Sequence, residues 1–74
     1  MNVLIVEDEM PAAEKLERYL EKYSTDIRVL KKTTSIGDTC EWLKINQSSL
    51  DLIFMDIQLT DGLSFEIFNR VPVE

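Results

Sequence analysis

Several features that would define other kinds of protein are missing from this sequence. Its single cysteine, Cys40, cannot form an internal disulfide, so the sequence fits a reducing compartment, where such a residue usually packs as a small hydrophobic side chain. No apolar run approaches the roughly 20 residues of a membrane span. The first apolar run begins at Val3 without a basic region or a cleavage site, which predicts no signal peptide and a cytoplasmic location.

Basic residues are also few. The sequence has 8 lysines and arginines against 14 aspartates and glutamates, a net charge of −6. Such a domain is repelled by nucleic acid and by anionic membranes, so neither is expected as a direct partner. The hydrophobic share of 45% and the charged share of 30% are typical of an ordinary globular protein. The 74 residues suffice for one small domain, residues 1–74.

The hydrophobic pattern alternates between two periods and predicts the order βαβαβα. Short apolar runs without polar interruption are typical of strands buried on both faces, and repeats of three and four residues are typical of helices. The predicted elements are a strand at 3–6, a helix at 10–23, a strand at 27–33, a helix from 35 to about 46, a strand at 50–55 and a helix from 63 to 71.

Particular residues mark the boundaries of these elements. Ser35 is followed three residues on by Asp38, a weak variant of the capping box that places the start of the second helix. The segment 60–62 predicts a turn, and Pro72 ends the last helix.

The first helix carries an apolar stripe, and the large aromatic residues are interpreted as packing residues. The stripe is Ala13, Leu16, Leu20 and Tyr23, and the aromatic residues are Tyr19, Tyr23 and Trp42.

The second strand differs from the other two because its residues alternate between apolar and polar. This pattern, with Lys31 next to Lys32, predicts a half-exposed strand at the edge of a sheet. If it is the edge, the first and third strands lie side by side and the strand order is 2-1-3. The predicted fold class is therefore α/β, a doubly wound, flavodoxin-like parallel sheet with right-handed crossovers.

Acidic residues follow the first and third strands directly. Glu7 and Asp8 come after the first strand, and Asp56 comes after the third. In open α/β sheets ligands bind beyond the carboxyl ends of the strands where the winding reverses, which in a 2-1-3 order falls between these two strands. Three carboxylates meeting there would repel one another unless a hard cation such as Mg²⁺ joined them. A carboxylate beside bound Mg²⁺ can attack an incoming phosphoryl group.

Together these segments resemble the receiver domain of bacterial two-component response regulators, over the whole chain. The Asp56-Ile57-Gln58-Leu59 stretch is most similar to receivers attached to LytTR-type DNA-binding domains. The motifs that carry the resemblance are Leu4-Ile5-Val6-Glu7-Asp8-Glu9, Leu52-Ile53-Phe54-Met55-Asp56 and Leu59-Thr60-Asp61-Gly62.

The resemblance implies a signalling module and not an enzyme. Asp56 would accept a phosphoryl group from a sensor histidine kinase, Asp8 would bind Mg²⁺ directly, Glu7 would bind it through water, and the backbone carbonyl of Gln58 would supply a further ligand. The first helix would contribute to the docking surface for the kinase. An output domain outside this chain, expected to be a LytTR DNA-binding domain, would respond.

The sequence departs from the family in three respects. Glu7 and Thr60 stand where the family more often has Asp and Pro. The fourth and fifth strands, which in the family carry a Ser or Thr and then a Lys that contact the phosphoryl oxygens, do not follow. We therefore expect an incomplete receiver whose metal site is present but whose phosphorylation is impaired. We also expect self-association through the open edge left at Leu52–Met55.

Other functions remain open at this point. A metal-dependent phosphohydrolase with an aspartyl nucleophile needs a second Asp two residues later, where this sequence has Gln58. A receiver-like fragment that binds partners without phosphorylation is a further alternative. Flavin binding is disfavoured because no Gly- or Ser/Thr-rich phosphate loop follows the first strand. The acidic residues could also simply interact with the dipole of the first helix or cap a loop.

Overall fold

A computed structural model describes residues 1–56, 58–59 and 61–71. Both predicted long helices are present, and α1 has the predicted bounds. None of the helices in these ranges is long and apolar enough to cross a membrane. The elements are β1 (Asn2–Val6), α1 (Met10–Tyr23), β2 (Arg28–Thr33), α2 (Ile36–Asn46), a 3₁₀ turn (Gln47–Ser49), β3 (Leu52–Met55), β4 (Gln58–Leu59), β5 (Gly62–Leu63) and α3 (Glu66–Arg70).

The central sheet is parallel and has the strand order β2-β1-β3. This confirms the predicted α/β class and the 2-1-3 order of an incomplete flavodoxin-like sheet. Strand β1 is buried along Val3–Val6 because both faces of the sheet are covered. Val3 and Ile5 pack towards Ala13 of α1, whereas Leu4 and Val6 join the larger core on the opposite face. That larger core also contains Ile36, Cys40, Leu43, Leu59, Ile67 and Val71.

The aromatic residues do not all pack as predicted. Trp42 is half-buried against the α2 side of the core, as expected. Tyr19 and Tyr23 are 63% and 85% exposed, so the packing interpretation is wrong for both. Leu20 is the last residue of the α1 stripe that packs against the core, although Tyr23 continues its spacing. The prediction that Cys40 is a buried core residue is confirmed.

Strand β2 contains an irregularity that the alternating pattern does not show. Its register against β1 shifts between Val3 and Leu4, so β2 carries one extra residue there. Val29 and Lys32 therefore both lie on the face covered by α1, where Lys32 forms an ion pair with Glu17. The simple alternation predicted for this strand is wrong at its midpoint, whereas its position at the sheet edge is confirmed.

The segment after β3 differs most from the prediction. Leu63 lies in β5, which pairs antiparallel with β4, and is not part of a helix. Helix α3 begins at Glu66, three residues later than predicted, and its five residues form about one and a half turns. Leu50 follows the 3₁₀ turn, so β3 begins two residues later than predicted. The predictions for Thr60 and Pro72 lie outside the described residues.

The start of α2 is fixed by two side chains. The Ser35 hydroxyl accepts a hydrogen bond from the Asp38 backbone N–H at 3.1 Å, which confirms the predicted cap. The Asp61 carboxylate accepts further bonds from the backbone N–H groups of Ile36 (2.8 Å) and Gly37 (3.2 Å). Asp61 therefore ties the β4–β5 turn to the N-terminus of α2, where a negative charge is favoured.

Replacing Asp61 should destabilise the fold. The two backbone N–H groups at the start of α2, that of Ile36 first, lower the pKa of Asp61 from its ordinary value of 3.8. The stability that the carboxylate provides is therefore present above that value and is lost as the pH falls through the lowered pKa. We expect Asp61→Ala to lower the melting temperature, measured by circular dichroism at neutral pH, and Asp61→Asn to lower it less.

The control for this test is Asp26→Ala. Asp26 is exposed, and its side chain accepts no hydrogen bond within the described part of the chain. Equal melting temperatures for Asp61→Ala and Asp26→Ala would contradict the capping role.

Candidate metal centre

The ends of β1 and β3 place two acidic residues side by side. Val6 pairs with Met55 in the parallel ladder, so the residues that follow each strand emerge at the same edge of the sheet. The Glu7 backbone N–H donates to the Thr33 carbonyl at 2.9 Å, and the Asp56 backbone N–H donates to the Val6 carbonyl at 3.0 Å. These two bonds continue the ladders by one residue and hold the backbone of both acidic residues in place.

Glu7, Asp8 and Asp56 form one cluster. Each offers one carboxylate oxygen, and these three oxygens lie within 4.8 Å of one another. None of the three residues is buried, so water can complete a coordination shell. The sequence prediction that these side chains meet at the switch in strand order therefore agrees with the geometry.

The spacing of the oxygens can be compared with the needs of Mg²⁺. In an octahedron with metal–oxygen distances of about 2.1 Å, neighbouring ligands lie about 3.0 Å apart and opposite ligands about 4.2 Å apart. A set of three carboxylate oxygens within 4.8 Å is close to these values, and a water between one carboxylate and the ion would take up the difference. The all-oxygen donor set is also the one that Mg²⁺ prefers. The residues therefore fit this ion.

Electrostatic repulsion is visible at Glu7. Partial burial raises the pKa of this carboxyl above its ordinary value of 4.5, and the charges of Asp56 and Asp8 raise it further. The Glu9 backbone N–H, which donates to Glu7 Oε1 at 3.2 Å, opposes the effect. The only ion pair among the described residues joins Lys32 to Glu17 and is not part of the cluster. A cation bound between the three carboxylates would relieve this repulsion.

An open groove of about 220 Å³ adjoins the cluster on the α1 side of the sheet. Glu7 and Asp56 are among its lining residues, and the other lining residues are apolar. An apolar wall lowers the local dielectric and strengthens any interaction between the carboxylates and a bound cation. The apolar lining residues are Ile5, Val6, Ala12, Ala13, Leu16, Phe54 and Met55.

Gln58 and Asp61 follow the acidic cluster in the sequence. Gln58 is the first residue of β4, two positions after Asp56, and the role of its backbone carbonyl as a ligand stays a prediction. Asp61 was predicted only as part of a turn, and its contact with α2 was missed. That contact joins residues 24 and 25 positions apart. No local pattern in the sequence signals it.

The raised pKa of Glu7 leads to a prediction for the metal-free protein. A carboxyl whose pKa is higher in the folded state favours folding while it is protonated, so its contribution is lost as the pH rises from 4.5 through the raised value. We expect Glu7→Gln to be more stable than the parent at neutral pH in the presence of a chelator, and the difference to shrink towards pH 4.5. Denaturant unfolding across this range measures it.

With Mg²⁺ present the pH dependence should reverse, because protons compete with the metal for the carboxylates. The parent should then gain stability as the pH rises. A parent and a Glu7→Gln variant that differ by the same amount at every pH would show that Glu7 does not titrate in the cluster.

The fold and the acidic cluster together define a class of protein: a small parallel α/β chain with three carboxylates gathered at the switch point of its sheet. Comparison with known proteins adds particular relatives. The chain is 36% identical over 69 residues, 93% of its length, to the sensory transduction protein LytT of Bacillus cereus, and equally to the protein of that name from Bacillus anthracis. The matched part is 27% of each relative. No protein-family model and no solved structure matches the chain. The similarity supports a relationship with these sensory transduction proteins.

Proposed function

We propose that this chain is part of a receiver module in two-component signal transduction. In this proposal Asp56 accepts a phosphoryl group from a sensor histidine kinase with the help of Mg²⁺. The modified domain then regulates an output domain outside the chain, expected to be a LytTR-type DNA-binding domain. The observation that carries the proposal is the meeting of Glu7, Asp8 and Asp56 at the ends of two adjacent parallel strands.

The chemistry assigned to these residues is phosphoryl transfer. An oxygen of the Asp56 carboxylate attacks the phosphorus of the donor, the P–N bond to the donor histidine breaks, and its electron pair stays on the imidazole. Bound Mg²⁺ would neutralise the charge that develops on the transferred oxygens. Asp8 and Glu7 would hold that ion, because they lie next to Asp56 and offer hard oxygen ligands. The product is an acyl phosphate on Asp56.

The similarity to the LytT proteins supports this proposal at the level of signalling. The test is transfer of a phosphoryl group to Asp56 from a small phosphodonor with Mg²⁺, read by mass spectrometry. Asp56→Asn, which has nearly the same shape but cannot form the acyl phosphate, is the control. Modification of Asp56→Asn to the same extent as the parent would overturn the assignment.

We also propose that the chain self-associates through β3. Within the described ranges β3 pairs only with β1, so its other edge carries unpaired backbone groups. Leu52 at its start is 42% exposed, and the rest of the strand is only partly covered. An apolar open edge of this kind is a site for pairing with a second chain.

Analytical ultracentrifugation should therefore show association that grows with protein concentration, and Leu52→Lys should reduce it because a charge on an edge strand opposes pairing. Leu63→Lys is the matched control, since Leu63 is similarly exposed (47%) but lies in β5, outside the parallel sheet. A parent protein that stays monomeric at high concentration would contradict the proposal.

A further inference from the structure

An open groove of about 470 Å³ lies between the edge strand β2 and helix α2. One wall is formed by residues 31–34 at the end of β2, and the other by α2 between Asp38 and Asn46. Four residues of extended chain span about 13 Å, so the wall along β2 is long enough for a short strand. We call this the β2 groove. It is separate from the acidic cluster, whose three residues do not line it.

The wall along β2 presents backbone groups to the β2 groove. Within the described ranges β2 pairs only with β1, on one of its two sides. The Thr33 carbonyl points towards β1, since it accepts a hydrogen bond from the Glu7 backbone N–H. Neighbouring residues of a strand direct their backbone groups to opposite sides, so the N–H and C=O of Lys32 point to the open edge. Groups placed in this way recognise the backbone of an extended polypeptide segment.

Three apolar side chains also line the β2 groove. Ile45 is 82% exposed, Met10 is 39% exposed, and Trp42 is only partly buried. A single exposed apolar side chain is ordinary, but three around one groove form an apolar surface that a bound segment would cover. The β2 groove therefore suits a polypeptide with side chains of its own.

The two walls of the β2 groove differ in charge. Lys31 is exposed and lies on the same face of β2 as Thr33, whose hydroxyl contacts α2. The wall formed by α2 carries the exposed carboxylates of Asp38 and Glu41. In the described part of the chain neither carboxylate forms an ion pair with Lys31. A segment lying between the walls would therefore meet a positive charge on one side and two negative charges on the other.

Trp42 indicates which basic residue would face α2. It belongs to the same wall as Glu41, its neighbour in the sequence. The planar guanidinium of an arginine can stack on an indole ring and also bind a carboxylate, whereas a lysine ammonium lacks this flat shape. An arginine is therefore the basic residue that fits this wall.

We propose that the β2 groove binds an extended segment of a protein partner, which pairs with β2 and carries an acidic residue and an arginine two positions apart. Residues two positions apart in an extended chain share one face. The acidic residue pairs with Lys31 across the two strands, and the arginine contacts Trp42 and the carboxylates of α2. The inference goes beyond the proposed function, because neither Asp56 nor a bound metal takes part.

The test uses a short synthetic peptide of alternating threonine and valine, with a glutamate and an arginine two positions apart at its centre. Fluorescence of Trp42, the single tryptophan, gives the affinity. Nuclear magnetic resonance should show shift changes concentrated at the β2 groove and slower hydrogen exchange of the Lys32 amide. The same peptide with its central amides methylated should bind about tenfold more weakly, because it cannot pair with β2.

Exchanging charges between protein and peptide tests the assigned contacts. Lys31→Glu should weaken binding about threefold to fivefold, and a peptide with lysine in place of its glutamate should restore it. Glu41→Lys should behave in the same way with a peptide that has glutamate in place of its arginine. A variant damaged in its fold would not regain binding in this manner. Lys44→Glu is the matched control, because Lys44 is exposed on α2 but does not line the groove, and it should bind like the parent.

Several results would overturn the inference. These are no binding of the parent peptide, equal binding of the methylated peptide, and exchanged charges that fail to restore affinity. Slower exchange of the Lys32 amide with rising protein concentration and no peptide would assign the edge to a second copy of the chain, and would also overturn it. Because no phosphoryl group or metal is used, these results are independent of the labelling of Asp56.

Discussion

Magnesium should raise the melting temperature of the parent protein and leave that of Asp8→Asn almost unchanged. Three carboxylate oxygens within 4.8 Å repel one another in the metal-free state and attract a shared cation when one is present. At a Mg²⁺ concentration ten times the dissociation constant, binding to the folded state alone contributes about 1.4 kcal/mol. For a domain of this size that corresponds to a rise of roughly 6 to 11 °C. Thermal unfolding followed by circular dichroism measures it.

The same variant should have the opposite effect without metal. Asp8→Asn removes one of the three negative charges, so in the presence of a chelator it should be more stable than the parent. The two proteins would therefore exchange their order of stability when Mg²⁺ is added. A mutation that merely damages the fold cannot produce this exchange, because it would destabilise the protein in both conditions.

Glu9→Gln is the control for the metal experiment. Glu9 is exposed next to the cluster but is not one of its three members, and its contact with Glu7 uses a backbone N–H that the substitution keeps. This variant should respond to Mg²⁺ like the parent. Matching the ionic strength with sodium chloride separates site binding from general screening. Equal responses of the parent and Asp8→Asn would remove the metal site from the proposed function.

Phosphorylation of Asp56 is expected to be slower in residues 1–74 than in a protein that also carries the two further strands that the resemblance implies. The resemblance to receiver domains implies that a hydroxyl and an ammonium group from two further strands contact the phosphoryl oxygens. Residues 1–74 contain neither strand in the predicted pattern. Incubated with a small phosphodonor and Mg²⁺, the chain should therefore gain a phosphoryl group slowly and incompletely, whereas a protein that includes the further strands should be modified promptly.

Mass spectrometry of the intact protein and of its peptides measures both the extent and the position of the modification. Asp56→Asn should show none in either protein, and omission of Mg²⁺ should reduce modification of the longer one. Prompt, stoichiometric modification of the 74-residue chain at Asp56 would show that Glu7, Asp8 and Asp56 suffice without the missing groups.

Much of the fold could be predicted because its signals are local. The apolar run at Val3–Val6 reads as a strand covered on both faces, and the three-four repeat of α1 gives its bounds to the residue. The grouping of Glu7 and Asp8 with Asp56 was also predictable, since each follows a strand and parallel strands end at a common edge. The lysines of β2 correctly indicated the edge strand, from which the 2-1-3 order follows.

The remaining features depend on contacts between distant segments. The extra residue in β2 exists only relative to its pairing with β1. Tyr23 continues the three-four spacing of the apolar stripe of α1 but is 85% exposed, which helical periodicity does not encode. Asp61 caps a helix that begins 25 residues earlier. Gly62 has a positive φ of 140°, which side chains rarely permit, and a Cβ there would also lie 3.2 Å from the Ile36 side chain.

The local order of apolar and acidic residues was therefore enough to predict the three parallel strands of the central sheet and which carboxylates share an edge, but not the antiparallel pair β4–β5. Folding determined which distant charges meet, such as the ion pair of Lys32 with Glu17. The physical reason is one of range. Backbone periodicity acts over a few residues, whereas hydrogen bonds, ion pairs and burial are decided by whichever segments the completed core brings together.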